Sequence, residues 1–203
     1  RLLDLELSGF INRYVPVGAK ATSKISRYEL KDHYLSFYFK FIHPHTVEIN
    51  KGEYYDQPTK LLPHTEYMKW LGLMFERYCR QNSAKIAQLL GFGGVLYSSG
   101  AHFYRSTNKL APDKVATNNK VDRGFQIDLL FQRNDKVWTI CEVKYQDAAV
   151  DISVTTELDK KIERLKIPNQ ITISKVLISA SPPTKALLAS GYFEKIITLE
   201  DMV

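Results

Sequence analysis

The sequence predicts an α/β domain with a mixed central sheet, and three observations predict it. Two alternating runs, Phe125–Gln132 and Val137–Tyr145, flank Arg133-Asn134-Asp135-Lys136 and read as a β-hairpin. Ile171–Ala180 is a near-continuous apolar run, which suits a strand covered on both faces. Helical patterns stand before and after the hairpin, so that the order from residue 65 reads α-β-β-β-α-β-α-β.

Taken in order, Leu2, Leu3, Leu5 and Leu7 form a short helix that leads to Gly9. Phe10–Val17 is a strand ending at Gly18-Ala19, Lys20–Ser26 a polar turn, and Arg27–Leu30 a second strand. A helix followed by a two-stranded wing is the tail of a winged-helix module whose first helices would lie upstream of Arg1. Asp32 caps a helix from His33 to about Ile42, apolar nearly all round, that Pro44 stops. Its aromatic density predicts burial between two modules; a base-stacking platform is the other reading. Residues 45–65 hold Gly52, Pro58 and Pro63 and form an irregular connection, which places a boundary between residues 1–60 and 61–203.

From Thr65 a long helix runs to about Leu90, with Met68, Leu71, Phe75, Tyr78, Cys79, Ile86, Leu89 and Leu90 along one stripe and Gly91 at its end. Gly93–Tyr104 is a strand region interrupted by Ser98-Ser99-Gly100, and Ser106–Gly124 is a polar, basic loop. After the hairpin come a helix over Thr155–Lys166 with Leu158, Ile162 and Leu165 on one face, the apolar strand, a short helix over Pro183–Ser190 and a last strand over Phe193–Leu199.

Composition narrows the function classes. The 203 residues are 44% hydrophobic and 25% charged, as in a folded globular chain and unlike a disordered or fibrous one. No apolar run approaches the roughly 18 residues of a membrane helix, and Asp4 and Glu6 among the first leucines do not fit a signal peptide. Two cysteines support neither a disulfide framework nor a four-cysteine zinc site, so a reducing cytoplasm is the expected address. The net charge of +6 is uneven: +2 over residues 1–60, +5 over 61–124 and −1 over 125–203. That basic middle favours an anionic partner, or simply solubilises the surface.

The hairpin carries the chemistry. Side chains alternate along a strand, so Glu142 and Lys144 share one face while Cys141 and Val143 share the other. Asp128 lies opposite Ile127, Leu129 and Phe131, which enter the core. A three-residue loop at 134–136 sets Asp128 directly across from Glu142. A two-residue loop at 134–135 sets it across from Cys141 and needs a bulge. Two carboxylates at that spacing repel, and a hard divalent cation, Mg²⁺ or Mn²⁺, relieves the repulsion. Lys144 beside them stabilises negative charge developing on phosphorus. The plainer alternative is alternation of charge on an exposed hairpin face.

Asp128, thirteen intervening residues, then Glu142-Val143-Lys144 resembles the signature of the PD-(D/E)XK nuclease superfamily, whose core is α-β-β-β-α-β. More closely, Gly124–Leu130, Arg133–Lys136, Cys141–Tyr145 and the Tyr28–Ile42 segment are similar to the C-terminal region of certain prokaryotic AAA-type ATPases. In these, a winged helix and a nuclease-like domain follow the ATPase module. The resemblance implies that Asp128 and Glu142 are metal ligands, with the carbonyl of Val143 a third, and that Lys144 is the catalytic lysine. Glu76 matches the acidic residue of the first core helix, or is only an i,i+4 partner of Arg80. Gln126 shares the face of Asp128 and either touches substrate or is solvated.

Lys109, Lys114, Lys120 and Arg123 lie in the loop leading to Asp128 and would track a DNA backbone. The Pro112-Asp113 pair is a decoy, since Asp128 holds the hairpin position. No GxxxxGK[ST] phosphate loop occurs, so ATP hydrolysis would belong to an upstream module; the expected partners are DNA, that module and further copies of the chain in a homo-oligomer. The five histidines show no HxxxH or HExxH spacing, and no serine has a GxSxG setting. The expected function is a metal-dependent nuclease acting on DNA; the alternatives are an inactive nucleic-acid or protein platform and a structural partner within the ATPase.

Overall fold

Five strands make one mixed sheet, hydrogen-bonded in their chain order, and a separate two-stranded hairpin leans against its first edge. The computed structural model describes residues 1–104 and 124–202. The elements are α1 (Leu2–Leu7), β1 (Ile11–Tyr14), β2 (Arg27–Leu30), α2 (His33–Phe37), α3 (Thr46–Asn50), α4 (His64–Gln81) and α5 (Ser83–Leu89), then β3 (Tyr97–Tyr104), β4 (Phe125–Arg133), β5 (Val137–Lys144), α6 (Ser153–Ile162), β6 (Thr172–Ser179), α7 (Lys185–Ala189) and β7 (Lys195–Thr198). The fold is therefore α/β with a mixed sheet, as the patterning predicts.

Strands β3, β4 and β5 pair antiparallel, whereas β5-β6 and β6-β7 pair parallel. The parallel pairs need crossovers, and α6 and α7 supply them. On one face Phe75, Cys79 and Ile86 of α4 and α5 pack on Leu129, Phe131, Cys141 and Val143. On the other, Val154 and Leu158 of α6 and Leu187 of α7 pack on Ile127, Leu130, Ile140 and Leu177. Both faces of the sheet are covered, so residues 127–131 are all buried. Among the described residues no helix is long and apolar enough to cross a membrane.

The β4-β5 turn takes the three-residue form. Leu129 pairs with Cys141 and Gln132 with Trp138, so Asn134–Lys136 form the loop, with Lys136 in the left-handed region at φ 64°. This register sets Asp128 across from Glu142. Strand β4 departs from strict alternation, because Ile127 faces α6 while Leu129 and Phe131 face α4 and α5. The register against β3 shifts between Gly100 and His102, where β4 carries one residue more than its partner.

Other expectations are corrected. Ser98-Ser99-Gly100 do not interrupt β3; they lie inside this edge strand, and Ser99 Oγ bonds Ser83 Oγ at 3.1 Å. The long helix is two, α4 and α5, parted at Asn82, where the backbone leaves the helical region (φ −100°, ψ 24°) and the side chain shares the Tyr78 carbonyl with the backbone N–H, at 2.9 and 3.0 Å. Strand β1 stops at Tyr14, since Pro16 has no N–H for a ladder, and Val17 N–H crosses to the Ala101 carbonyl at 2.9 Å.

Asp32 caps α2 as predicted, accepting from Leu35 N–H at 2.7 Å. Pro44 does not stop the chain there. The path continues through a π turn at Tyr38–Ile42 and a 3-10 turn at His43–His45 into α3, because Pro44 falls at the start of the 3-10 turn, where its missing N–H costs no bond. The aromatic helix is only half buried. Phe37 and Phe41 pack on Tyr67 and Trp70 of α4 at ring separations of 5.5 to 6.0 Å, while Tyr34 and Phe39 are exposed.

Candidate functional site

The site forms where the β4-β5 ladder ends. Its last backbone pair is Leu129 with Cys141, and beyond it Val143 N–H donates to the Asp128 carboxylate at 3.2 Å. A side chain thus takes the place of a ladder carbonyl, and the strands part around it. Asp128 is 7% exposed and Glu142 only 1%. Neither lies on the solvated hairpin face that simple alternation of charge describes.

Each carboxylate has its own partners. Lys161, from α6, places its ammonium 2.7 and 2.6 Å from the two oxygens of Glu142. Lys144 lies between Glu142, at 3.1 Å, and Glu157 of α6, at 2.9 Å. From the opposite face, Glu76 of α4 accepts from the Gln126 amide at 2.9 Å and lies 3.7 Å from Arg80. The same amide donates to Asp128 at 3.2 Å, and Arg27 of β2 donates to the Gln126 oxygen. Glu29, also on β2, lies 3.4 Å from Arg80. The hairpin therefore reaches the carboxylates through Arg27 to Gln126 and through Glu29 to Arg80.

Burial and mutual repulsion dominate the electrostatics. Burial, then the charge of Asp128, pushes Glu76 up to about 7 against the pull of Arg80, the Gln126 bond and Lys161. The same two causes raise Glu142, and Lys161 and Lys144 oppose them. Burial works against the charge on Lys144, but Glu157 and Glu142 outweigh it and raise the amine. Cys79 and Cys141 stay inert packing groups: burial pushes the first thiol up to about 12 and the second well above its ordinary range.

Asp128, Glu142, Lys144, Glu76 and Gln126 thus meet in one cluster. Glu76 fits both of its readings, since it contacts Arg80 and joins Asp128 through Gln126. Gln126 is partly buried and held on both ends of its amide. Val143 enters with its N–H on Asp128 and its side chain in the core. Lys109, Lys114, Lys120 and Arg123 lie outside the described residues.

Sequence reading missed Lys161, Glu157 and Arg27. The spacing of Glu157 and Lys161 puts both on one face of a helix, a legible signal, but only the β5-α6-β6 crossover brings that face over Glu142. Among the described residues no group of three or more His, Cys, Asp or Glu side chains closes into a metal cage. The donors available to a cation are the hard oxygens of Asp128, Glu142 and Glu76, with the ammonium of Lys161 seated on Glu142.

Fold and site together define an α/β domain with a buried carboxylate–lysine cluster at the fork of its central hairpin. No protein-family model matches the chain. Over 147 residues, 72% of its length, it is 27% identical to the protein named "Uncharacterized protein MJECL04" of Methanocaldococcus jannaschii, of which it spans 28%. Among solved structures it is similar to a protein of unknown function, AF1548, at 9% identity and a TM-score of 0.36, with 58% of this chain and 55% of that one covered.

Proposed function

We propose that residues 61–203 are a PD-(D/E)XK nuclease-like domain that acts on DNA with Mg²⁺ or Mn²⁺. The observation that carries this reading is the opposition of Asp128 and Glu142 at the hairpin fork, with Lys144 two residues after Glu142 and on its side of the sheet. The donor set fits a hard cation: burial, and then the charge of Asp128, raises both Glu142 and Glu76. Asp128 and Glu142 would hold the ion, with the Val143 carbonyl and Glu76 as further oxygen donors. Bound there, a divalent cation supplies Lewis acidity toward a phosphate oxygen and acidifies a water. Lys144 orients that water or donates to the oxygen on which charge grows. Lys161 pairs with both oxygens of Glu142 and so holds that carboxylate in place.

In the same reading the β1-β2 hairpin is a winged-helix remnant. It would follow an ATPase module in a cytoplasmic, oligomeric protein, with DNA as the partner. A second reading has an observation of its own. The short contacts from Lys161 to both oxygens of Glu142 already pair that carboxylate, as suits a binding or regulatory platform without turnover.

Calorimetric titration with Mn²⁺ decides between them. Binding in the millimolar range or tighter is expected, lost in Asp128→Asn, with nicking of supercoiled plasmid abolished in Lys144→Ala while Mn²⁺ still binds. Absence of Mn²⁺ uptake at millimolar concentration overturns the nuclease reading in favour of the platform.

A further inference from the structure

We infer that the cleft between the β1-β2 hairpin and the outer strands of the sheet receives single-stranded DNA and leads it to the carboxylates; this rests on the nuclease-like reading of the site and names its substrate form. The cleft has a volume of about 670 Å³. One wall is the end of the hairpin turn, with Lys24 and Arg27; the other is formed by Phe103, Tyr104 and Phe125, and Gln126 lies on the lining as well.

The chemistry of these walls selects the ligand. The rings of Tyr104 and Phe125 stack at 6.3 Å with 30° between planes, and Tyr104 is 41% exposed, which leaves ring surface for a further π system. The Arg27 guanidinium lies 4.1 Å over the Phe103 ring, so the cationic wall is anchored to the aromatic one. The described lining has two cations and no carboxylate. Phe103 is buried under Arg27, and Phe125 has Arg164 over its ring at 4.9 Å. The exposed ring of Tyr104, opposite the fixed positive charges of Lys24 and Arg27, is therefore the surface that suits an unstacked base on a phosphate backbone. A duplex hides its base faces. Pockets of roughly 300–1,000 Å³ enclose one small ligand, so this cleft takes one or two nucleotides and not a double helix.

The described lining of the cleft meets the site through one residue, Gln126. Gln126 lines the cleft and donates to both Glu76 and Asp128, so a strand lying there ends against the side chain that joins the carboxylates. Arg27 has two duties, lining the cleft and holding the Gln126 oxygen. Its substitution would disturb both, so Lys24 and Tyr104, which make no contact with the carboxylates, are the residues to vary.

The test measures anisotropy of labelled oligothymidylate and of a blunt duplex of equal length on the full chain, across a salt series. The single strand should bind at least tenfold more tightly than the duplex. Tyr104→Ala should weaken it roughly tenfold, the loss of one stacked base. Lys24→Ala should reduce the log–log salt slope by about 0.7, the release of one counterion from a single strand. Equal or tighter duplex binding overturns the inference, as does single-strand affinity within twofold of the parent in both variants.

The Mn²⁺ titration of the unmodified protein separates this from the metal reading. The expected single-strand pattern without Mn²⁺ uptake removes the metal site and keeps the cleft. Mn²⁺ uptake without single-strand binding removes the cleft and keeps the metal site.

Discussion

The two sides of the sheet meet the buried carboxylates differently. On the α6 side, Glu142 has two ammonium groups within about 3 Å, and Lys161 engages both of its oxygens. On the α4 side, Glu76 has an amide at 2.9 Å and only a distant guanidinium, Arg80 at 3.7 Å, itself shared with Glu29. Burial raises both groups. Charge on the α6 side is compensated within the fold, whereas on the α4 side it is less so. One site thus holds a carboxylate closely paired and another with only an amide and a distant guanidinium.

Removing the pairing should have the largest effect. Lys161→Met leaves Glu142 buried without its closest cation, which costs about 3 kcal/mol at pH 8, since breaking a buried pair strands the remaining charge. Because burial raises Glu142, the loss should shrink as falling pH protonates it, and Lys161→Met with Glu142→Gln should recover most of the stability. Urea unfolding at pH 8 and pH 5 measures both. Equal losses at the two pH values would break the comparison.

Glu76→Gln should act in the opposite direction and somewhat less. Its folded pKa, about 7, stands above the ordinary 4.5, so the folded state holds the proton more tightly. Stability from this group is fully present below the unfolded pKa and falls as pH rises from about 4.5 to about 7. The shift corresponds to about 3 kcal/mol as an upper bound. Glu76→Gln should therefore flatten the decline and stabilise the protein by up to about 2 to 3 kcal/mol at pH 8, with little effect at pH 4. A parent protein whose stability rises over that pH window would contradict this assignment.

The smallest effect is expected at the rim. Glu157 is half exposed, at 56%, and its bond to Lys144 faces water. Glu157→Gln should cost less than about 1 kcal/mol and should lose most of that in high salt, as exposed pairs do. A cost as large as that of Lys161→Met would place Glu157 with the buried pair and erase the distinction between the wall of the site and its edge.

Local chemistry accounts for much of this. The hairpin register follows from a loop of three residues, the cap at Asp32 from one carboxylate ahead of a helix, and the element order from residue 65 from periodicity and breakers. Asp128, Glu142 and Lys144 were legible because strand alternation and hairpin spacing are properties of a short stretch of chain. The helix break at Asn82 was less so, because a side chain that bonds the helix carbonyl competes only slightly with the pattern of a long apolar stripe.

What the tertiary structure decided is the environment of those residues. Sequence alternation put Asp128 and Glu142 on one face and left open whether that face is solvated. The fold buries both, Glu142 beneath Lys161 of α6 and Asp128 beside Gln126 and the Val143 N–H. Lys161 meets Glu142, and Arg27 meets Gln126 across 99 positions, only because crossovers and the packing of the β1-β2 hairpin bring distant segments together. Periodicity acts over neighbouring residues and sets which face a side chain takes. Burial, pairing and charge balance depend on what is packed against that face, and only long-range closure of the chain supplies it.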